Sequence, residues 1–161
     1  MNITVFRMDD RLVHGQIVTA WANYAEANQI VVVDDKVAKD NLRQTLLRMA
    51  TPKTINLKVI DTETAKNFFK EEDSYKTLLL VGDVDTALKI VDYIPNLKEI
   101  NIGNQNMKKG KIKILDNFWV FNDEVEKFYL IESKGIICEF RTVPNDKSLN
   151  ICKLLKEKIG K

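Results

Sequence analysis

The stretch Gln29-Ile30-Val31-Val32-Val33-Asp34-Asp35 decides the architecture. Four consecutive aliphatic residues run without polar alternation and stop on a carboxylate pair. A strand of that kind is buried on both faces, as in a parallel sheet covered by helices. Ile3–Met8, Leu57–Ile60, Thr77–Val81 and Ile100–Ile102 read as further strands. Between them, Ile17, Val18, Trp21, Tyr24 and Ala25 fall at helical spacing and predict a helix over about His14 to Ala27. Leu42, Leu46, Met49 and Ala50 form a second helical stripe, closed by Pro52. Ala65, Phe68 and Phe69 mark a short third helix. Asp83 can cap a fourth, with Ala87, Leu88, Val91 and Ile94 on one face and Pro95 at its end.

The alternation continues to the C-terminus. Short strands are expected around Lys113–Leu115 and Trp119–Phe121. Asn122 caps a helix bearing Val125, Phe128 and Tyr129, which Gly135 ends. Ile136–Val143 is a last strand, and Leu149, Cys152, Leu155 and Ile159 line a terminal helix. The expected fold is one α/β domain over residues 1–161: a doubly wound, mainly parallel open sheet with helices on both faces. Such sheets bind ligands at the carboxyl ends of their strands. The loops after Met8, Val33, Val81 and Ile102 are therefore where a site is expected.

Composition narrows the function. The 161 residues suit one domain, and 45% hydrophobic with 30% charged residues is globular composition. Lys plus Arg is 25 against 23 Asp plus Glu, leaving +2, which argues against a nucleic-acid or membrane-surface binder built on bulk charge. No apolar run exceeds four residues, so neither direct membrane insertion nor a signal core is expected, and the location implied is cytoplasmic. Cys138 and Cys152 lack CxxC spacing and sit among aliphatic residues, as small buried hydrophobes do. The six glycines match no dinucleotide or P-loop motif. There is one histidine, His14. Multi-histidine metal sites are thereby excluded, no metal or cofactor is implied, and a single imidazole is left for chemistry.

His14 lies in the first of the expected site loops, within Arg7-Met8-Asp9-Asp10-Arg11-Leu12-Val13-His14-Gly15-Gln16. At the start of a helix, free backbone N–H groups and the helix dipole favour an anion. The guanidinium of Arg11 suits phosphate oxygens. Gly15 removes a side chain beside His14, so a bulky anion or a partner's backbone can approach. Asp9 and Asp10 can accept from the imidazole or hold Arg11, and Gly15 and Gln16 supply N–H groups. A neutral imidazole beside such a cradle can accept a phosphoryl group. A surface histidine without function is the competing reading of the same spacing.

The segment Arg7 to Ile17 closely resembles the N-terminal signature of the IIB components of the mannose/sorbose family of the bacterial sugar phosphotransferase system. Val31-Val32-Val33-Asp34-Asp35-Lys36-Val37-Ala38-Lys39-Asp40, Met49-Ala50-Thr51-Pro52 and Val143-Pro144 are similar to further motifs of that family, so the resemblance covers essentially the whole chain. It implies that His14 accepts a phosphoryl group, at Nδ1, from a phosphohistidine of a IIA partner. It further implies that the group passes to a sugar translocated by the IIC and IID membrane components. No nucleic acid is involved, and a homodimer is compatible with this role. Arg11 is expected to matter more for transfer onward to sugar than for receipt. Family members often carry a glycine-rich turn after the strand matching Ile100–Ile102. Here the turn is Gly103-Asn104-Gln105-Asn106-Met107, and the loop to Lys111 reads either as part of the site or as a solvated turn.

Other readings compete. A response-regulator receiver domain would use Asp61 as phosphoacceptor, but the lysine it needs after the fifth strand is missing from Gly103-Asn104-Gln105. A non-catalytic α/β binding module is a second alternative. Asp34–Asp35 either orients His14 or Arg11, Asp35 being the closer candidate for the site, or caps the next helix. Trp21 and Tyr24 read as core. Lys108, Lys109, Lys111 and Lys113 form either a solvated face or a lure for an acidic partner.

Overall fold

A computed structural model describes residues 1–160. Seven strands form one sheet in the order β3-β2-β4-β1-β5-β8-β9. They are β1 (Asn2–Asp9), β2 (Gln29–Val33), β3 (Asn56–Ile60), β4 (Lys76–Val81), β5 (Glu99–Asn104), β8 (Ile137–Phe140) and β9 (Leu149–Asn150). Every pairing in it is parallel except β8 with β9. A separate antiparallel hairpin, β6 (Ile112–Leu115) with β7 (Phe118–Val120), projects from the loop after β5. The expected strand types hold: all five residues of β2 are buried.

Helices cover both faces. On one, α1 (Gly15–Tyr24) and α2 (Asn41–Ala50) close a cluster containing Val18, Trp21, Leu47, Ile30 and Val32. On the other, α3 (Thr62–Phe68), α4 (Val84–Ile90), α5 (Asn122–Ser133) and α6 (Ile151–Ile159) bury Val31, Val33, Ala87, Phe128 and Leu155. Alternate residues of one strand thus feed two cores, as a doubly wound sheet requires. Among the described residues no helix is long and apolar enough to cross a membrane.

Several local expectations are corrected. The stripe Leu42, Leu46 and Met49 does not face the sheet; these side chains are 70, 55 and 78% exposed, and α2 buries only Leu47. Tyr24 is 53% exposed, whereas Trp21 is fully buried. The first helix starts after His14, which is its N-cap, and ends at Tyr24. Asn122 is the first residue of α5 and not its cap: the Glu124 carboxylate turns back to accept the Phe121 N–H at 2.8 Å, which moves the boundary by one residue. The last parallel strand stops at Phe140, because Arg141 and Thr142 turn their carbonyls toward other side chains. The fifth strand runs two residues further than expected, to Asn104. Cys138 and Cys152 are free and buried, and burial pushes both thiols up, Cys138 to about 12.

Candidate functional site

β1 lies between β4 and β5, so its carboxyl end opens at the middle of the sheet edge. Asp9 ends that strand and is buried. Leu12, at φ 57°, and Gly15, at φ 41°, take the left-handed backbone region and fold the following residues back over Asp9. The turn is fixed by Leu12 N–H donating to the Asp9 carbonyl at 2.9 Å. It delivers His14 to the N-cap of α1 with Nε2 3.3 Å from Asp9 Oδ2. Arg11 grips the same carboxylate with its backbone N–H at 3.0 Å, Nε at 3.2 Å and Nη2 at 3.3 Å.

The carboxylate is held from below by a residue not singled out from sequence. Arg7 is buried, and its Nη2 donates to Asp9 Oδ2 at 3.2 Å and to the Thr142 carbonyl at 3.1 Å. Its Nη1 donates to the Asn101 side chain and to the Arg141 carbonyl. Its guanidinium carbon lies 4.6 Å from the centroid of the Trp21 ring. Burial lowers the Arg7 pKa to about 10, against the opposing pull of Asp9, so the group stays cationic at neutral pH. Glu139 extends the network, accepting from Asn101 Nδ2 at 3.0 Å and from Arg141 Nη2 at 2.8 Å. Trp21 donates its Nε1–H to the Thr142 carbonyl at 2.9 Å. The segment after β8, which carries Val143-Pro144, is thereby fastened to β1.

The structure gathers some of the expected residues and separates others. Asp9, Arg11 and His14 converge, and no side chain caps the start of α1, whose first residues are Gly15 and Gln16. Asp10 points the other way, accepting from Asn104 Nδ2 at 2.8 Å and the Asn106 N–H at 2.6 Å, and so ties down the loop after β5. Asp35 binds the Thr62 N–H at 2.8 Å and its hydroxyl at 3.0 Å, which holds its carboxyl below the usual range. Those free donors at the start of α3, and not His14, set its direction. Asp34 accepts from the N–H groups of Lys36 and Val37, and Asp61 caps α3 through the Thr64 N–H. Lys108 and Lys111 line a cleft of about 300 Å³ with Asp10, Asp34, Arg43 and Gln105, while Lys113 pairs with Asp116. A larger cavity, about 650 Å³, lies at the opposite end of the sheet near Arg48, Asn56 and Tyr75. Among the described residues no group of acidic, histidine or cysteine side chains could hold a metal ion.

Residues 3–161 match the family described as "PTS system sorbose subfamily IIB component". The chain is 30% identical over 164 residues to the sorbose-specific EIIB component of Lacticaseibacillus casei, covering 100% of this chain and 99% of that one. It is 31% identical to an N-acetylgalactosamine-specific phosphotransferase enzyme IIB component of Escherichia coli, covering 96% and 99%. The crystal structure of the IIB domain of the Klebsiella pneumoniae sorbose permease superposes with a TM-score of 0.93 at 29% identity, over 98% of each chain. The chain is thus a phosphotransferase-system protein. More narrowly, it belongs to the sorbose subfamily of IIB components.

Proposed function

We propose that His14 is the phosphoryl carrier of this IIB component, taking the group from a phosphohistidine on a IIA partner and passing it to a sugar delivered by IIC and IID. The observation that carries the reading is the pairing of Nε2 with Asp9. A carboxylate there holds the ring proton on Nε2 and leaves the lone pair on Nδ1, the nucleophile. In the first step a bond forms between Nδ1 and phosphorus as the donor's P–N bond breaks. The phosphorylated ring keeps its Nε2 proton against Asp9. In the second step a sugar hydroxyl attacks phosphorus, its proton passes to solvent, and neutral imidazole departs.

Such transfers depend on positioning and charge stabilisation more than on covalent help from the protein. The unused N–H groups at the start of α1 and the outer edge of Arg11 face the migrating oxygens. Arg11 is 39% exposed, and its Nη1 takes no part in the grip on Asp9. The domain assignment to residues 1–161 and a cytoplasmic site of action belong to the same proposal. The test uses labelled phosphoenolpyruvate with the general phosphotransferase enzymes and a IIA partner. Acid-labile label is expected in the wild type and not in His14→Ala; equal labelling of both overturns the reading.

A further inference from the structure

A polar row crosses the middle of the sheet. Arg7 on β1 is in register with Asn101 on β5, and Asn101 with Glu139 on β8; all three side chains are buried. On the other side of β1 the same row continues as Leu80 on β4 and Val32 on β2, both apolar. The architecture therefore does not require polar groups at this level. Glu139 stands two strands away from the one that ends at Asp9.

The hydrogen bonds along the row have a direction. Arg7 Nη1 donates to Asn101 Oδ1, and Asn101 Nδ2 donates to Glu139 Oε1 at 3.0 Å. An ionised carboxylate only accepts, so it fixes which end of the amide faces each neighbour. Turned over, Asn101 would aim its NH2 at a guanidinium, which has no acceptor. Glu139 is itself held: Arg141 donates from Nε to Oε2 at 2.9 Å and from Nη2 to Oε1 at 2.8 Å, and the Ser148 hydroxyl donates to Oε2 at 2.8 Å. Stability alone does not call for such a buried ion pair, since well-packed apolar residues of similar volume often serve as well or better. What an apolar pair does not supply is the orientation of Asn101, and hence of Arg7. The other terminal nitrogen of Arg7, Nη2, donates to Asp9 Oδ2 at 3.2 Å, and that same oxygen lies 3.3 Å from His14 Nε2.

We propose that Glu139 is a positioning residue for phosphoryl uptake: by fixing the Asn101 amide it aims Arg7 at Asp9, and through Asp9 it holds the His14 ring proton on Nε2. The proposal rests on the carrier role given to His14 and adds a residue that serves it from a distance. The partners of Glu139 are Asn101, Arg141 and Ser148, so its effect on the imidazole passes only through Asn101, Arg7 and Asp9. Arg7 is also held by two backbone carbonyls, so loss of Glu139 loosens the aim of the Asp9 carboxylate without abolishing it.

The test measures single-turnover phosphoryl uptake from phosphorylated IIA, together with the nitrogen-15 NMR signature of His14, in the wild type and in Glu139→Gln. Glu139→Gln is expected to take up the group about tenfold more slowly at saturating donor. The half-saturating donor concentration should not change, because the substitution is buried. His14 should show a mixture of ring tautomers where the wild type shows one. The double variant Asn101→Asp with Glu139→Gln moves the carboxylate one strand toward Arg7 and leaves every donor facing an acceptor. The carboxylate at position 101 then accepts from Arg7 and from the amide at 139, whose oxygen still accepts from Arg141. This variant should regain the single tautomer and the uptake rate, whereas a role confined to packing would leave it no better than the single variant. Asn101→Leu breaks the row at its centre with the Glu139–Arg141 pair intact. It should show the same slowing and the same mixture, which keeps the test decisive if Glu139→Gln does not fold. A wild-type rate with a single tautomer in Glu139→Gln or in Asn101→Leu overturns the proposal, as does a double variant as slow as the single one. A wild type that takes no label overturns the carrier role and this proposal with it; a labelled wild type whose variants match it overturns this proposal alone.

Discussion

Gly103 lies against the guanidinium of Arg7, so closely that a Cβ built on it would sit 1.8 Å from Nη2. The register between β1 and β5 slips at this point, with Met8 opposite Ile102 but Asp9 opposite Asn104, and the slip makes room for the passing side chain. The guanidinium cannot swing aside without abandoning Asp9, Asn101 and two carbonyls. Gly103→Ala should therefore destabilise the fold by about 2–3 kcal/mol and reduce phosphoryl uptake with it. Urea unfolding measures the first; an unchanged midpoint would mean that the guanidinium adapts.

Removing the cation itself tests the same link from the other side. Arg7→Met leaves the Asp9 carboxylate buried with its inner partner gone, and breaking a buried pair this way costs about 3–5 kcal/mol. Asp9→Asn should cost less, since the amide oxygen still accepts, but it surrenders the hold on the ring proton. Nitrogen-15 NMR of His14 is expected to report one tautomer in the wild type and a mixture in Asp9→Asn. A single tautomer in both would detach Asp9 from the role given to it.

What the sequence could and could not convey follows from the range of each interaction. The apolar run of β2 and the capping aspartate Asp83 act within a few residues and are readable, whereas Asp40 and Asp61, which cap their helices over the same short range, are not read as caps. The His14 loop was readable for the same reason. The role of Arg7 was not, because its partners Asn101, Arg141 and Thr142 lie 94 to 135 residues away. Helical periodicity shows that Leu42, Leu46 and Met49 share a face. It does not say whether that face meets a sheet or the solvent, and here α2 lies near the β3 edge with only Leu47 inward. Asp35 shows the same limit: a carboxylate at the correct sheet end answered the nearest free N–H groups, those of Thr62 and its hydroxyl.

Glu124 offers a pH-dependent test. Its carboxyl is raised above the usual range, first by burial, although it accepts the Phe121 N–H. An acid whose folded pKa lies above its unfolded one binds more protons when folded, so stability falls as pH rises from the unfolded pKa through the folded one. Glu124→Gln keeps an acceptor for the Phe121 N–H and removes the desolvated charge. A gain on the order of 0.5 kcal/mol is expected at neutral pH, and it should vanish in acid, where wild-type Glu124 is already protonated. Thermal unfolding of both proteins across that window decides it; a gain that persists in acid would assign the effect to packing.

Arg11 is the residue whose loss should report on chemistry alone. Its grip on Asp9 duplicates that of Arg7, so in Arg11→Ala the carboxylate is still held at Oδ2 by a buried guanidinium and still faces His14. The fold should lose no more than about 1 kcal/mol, because the pair is open to solvent on the Arg11 side. On the carrier role proposed for His14, receipt from a phosphohistidine exchanges one imidazole for another of like chemistry. Transfer to a sugar hydroxyl replaces that donor with a neutral alcohol, and the charge on the oxygens then falls to this chain's own cation and helix N–H groups. Loss of one such electrostatic contact slows a step by about 10²–10³-fold. Arg11→Ala is therefore expected to accept label from IIA at near the wild-type rate and to pass it to sugar at least about a hundredfold more slowly. Single-turnover measurements of the two half-reactions separate these outcomes, and equal slowing of both would place Arg11 in receipt as much as in delivery.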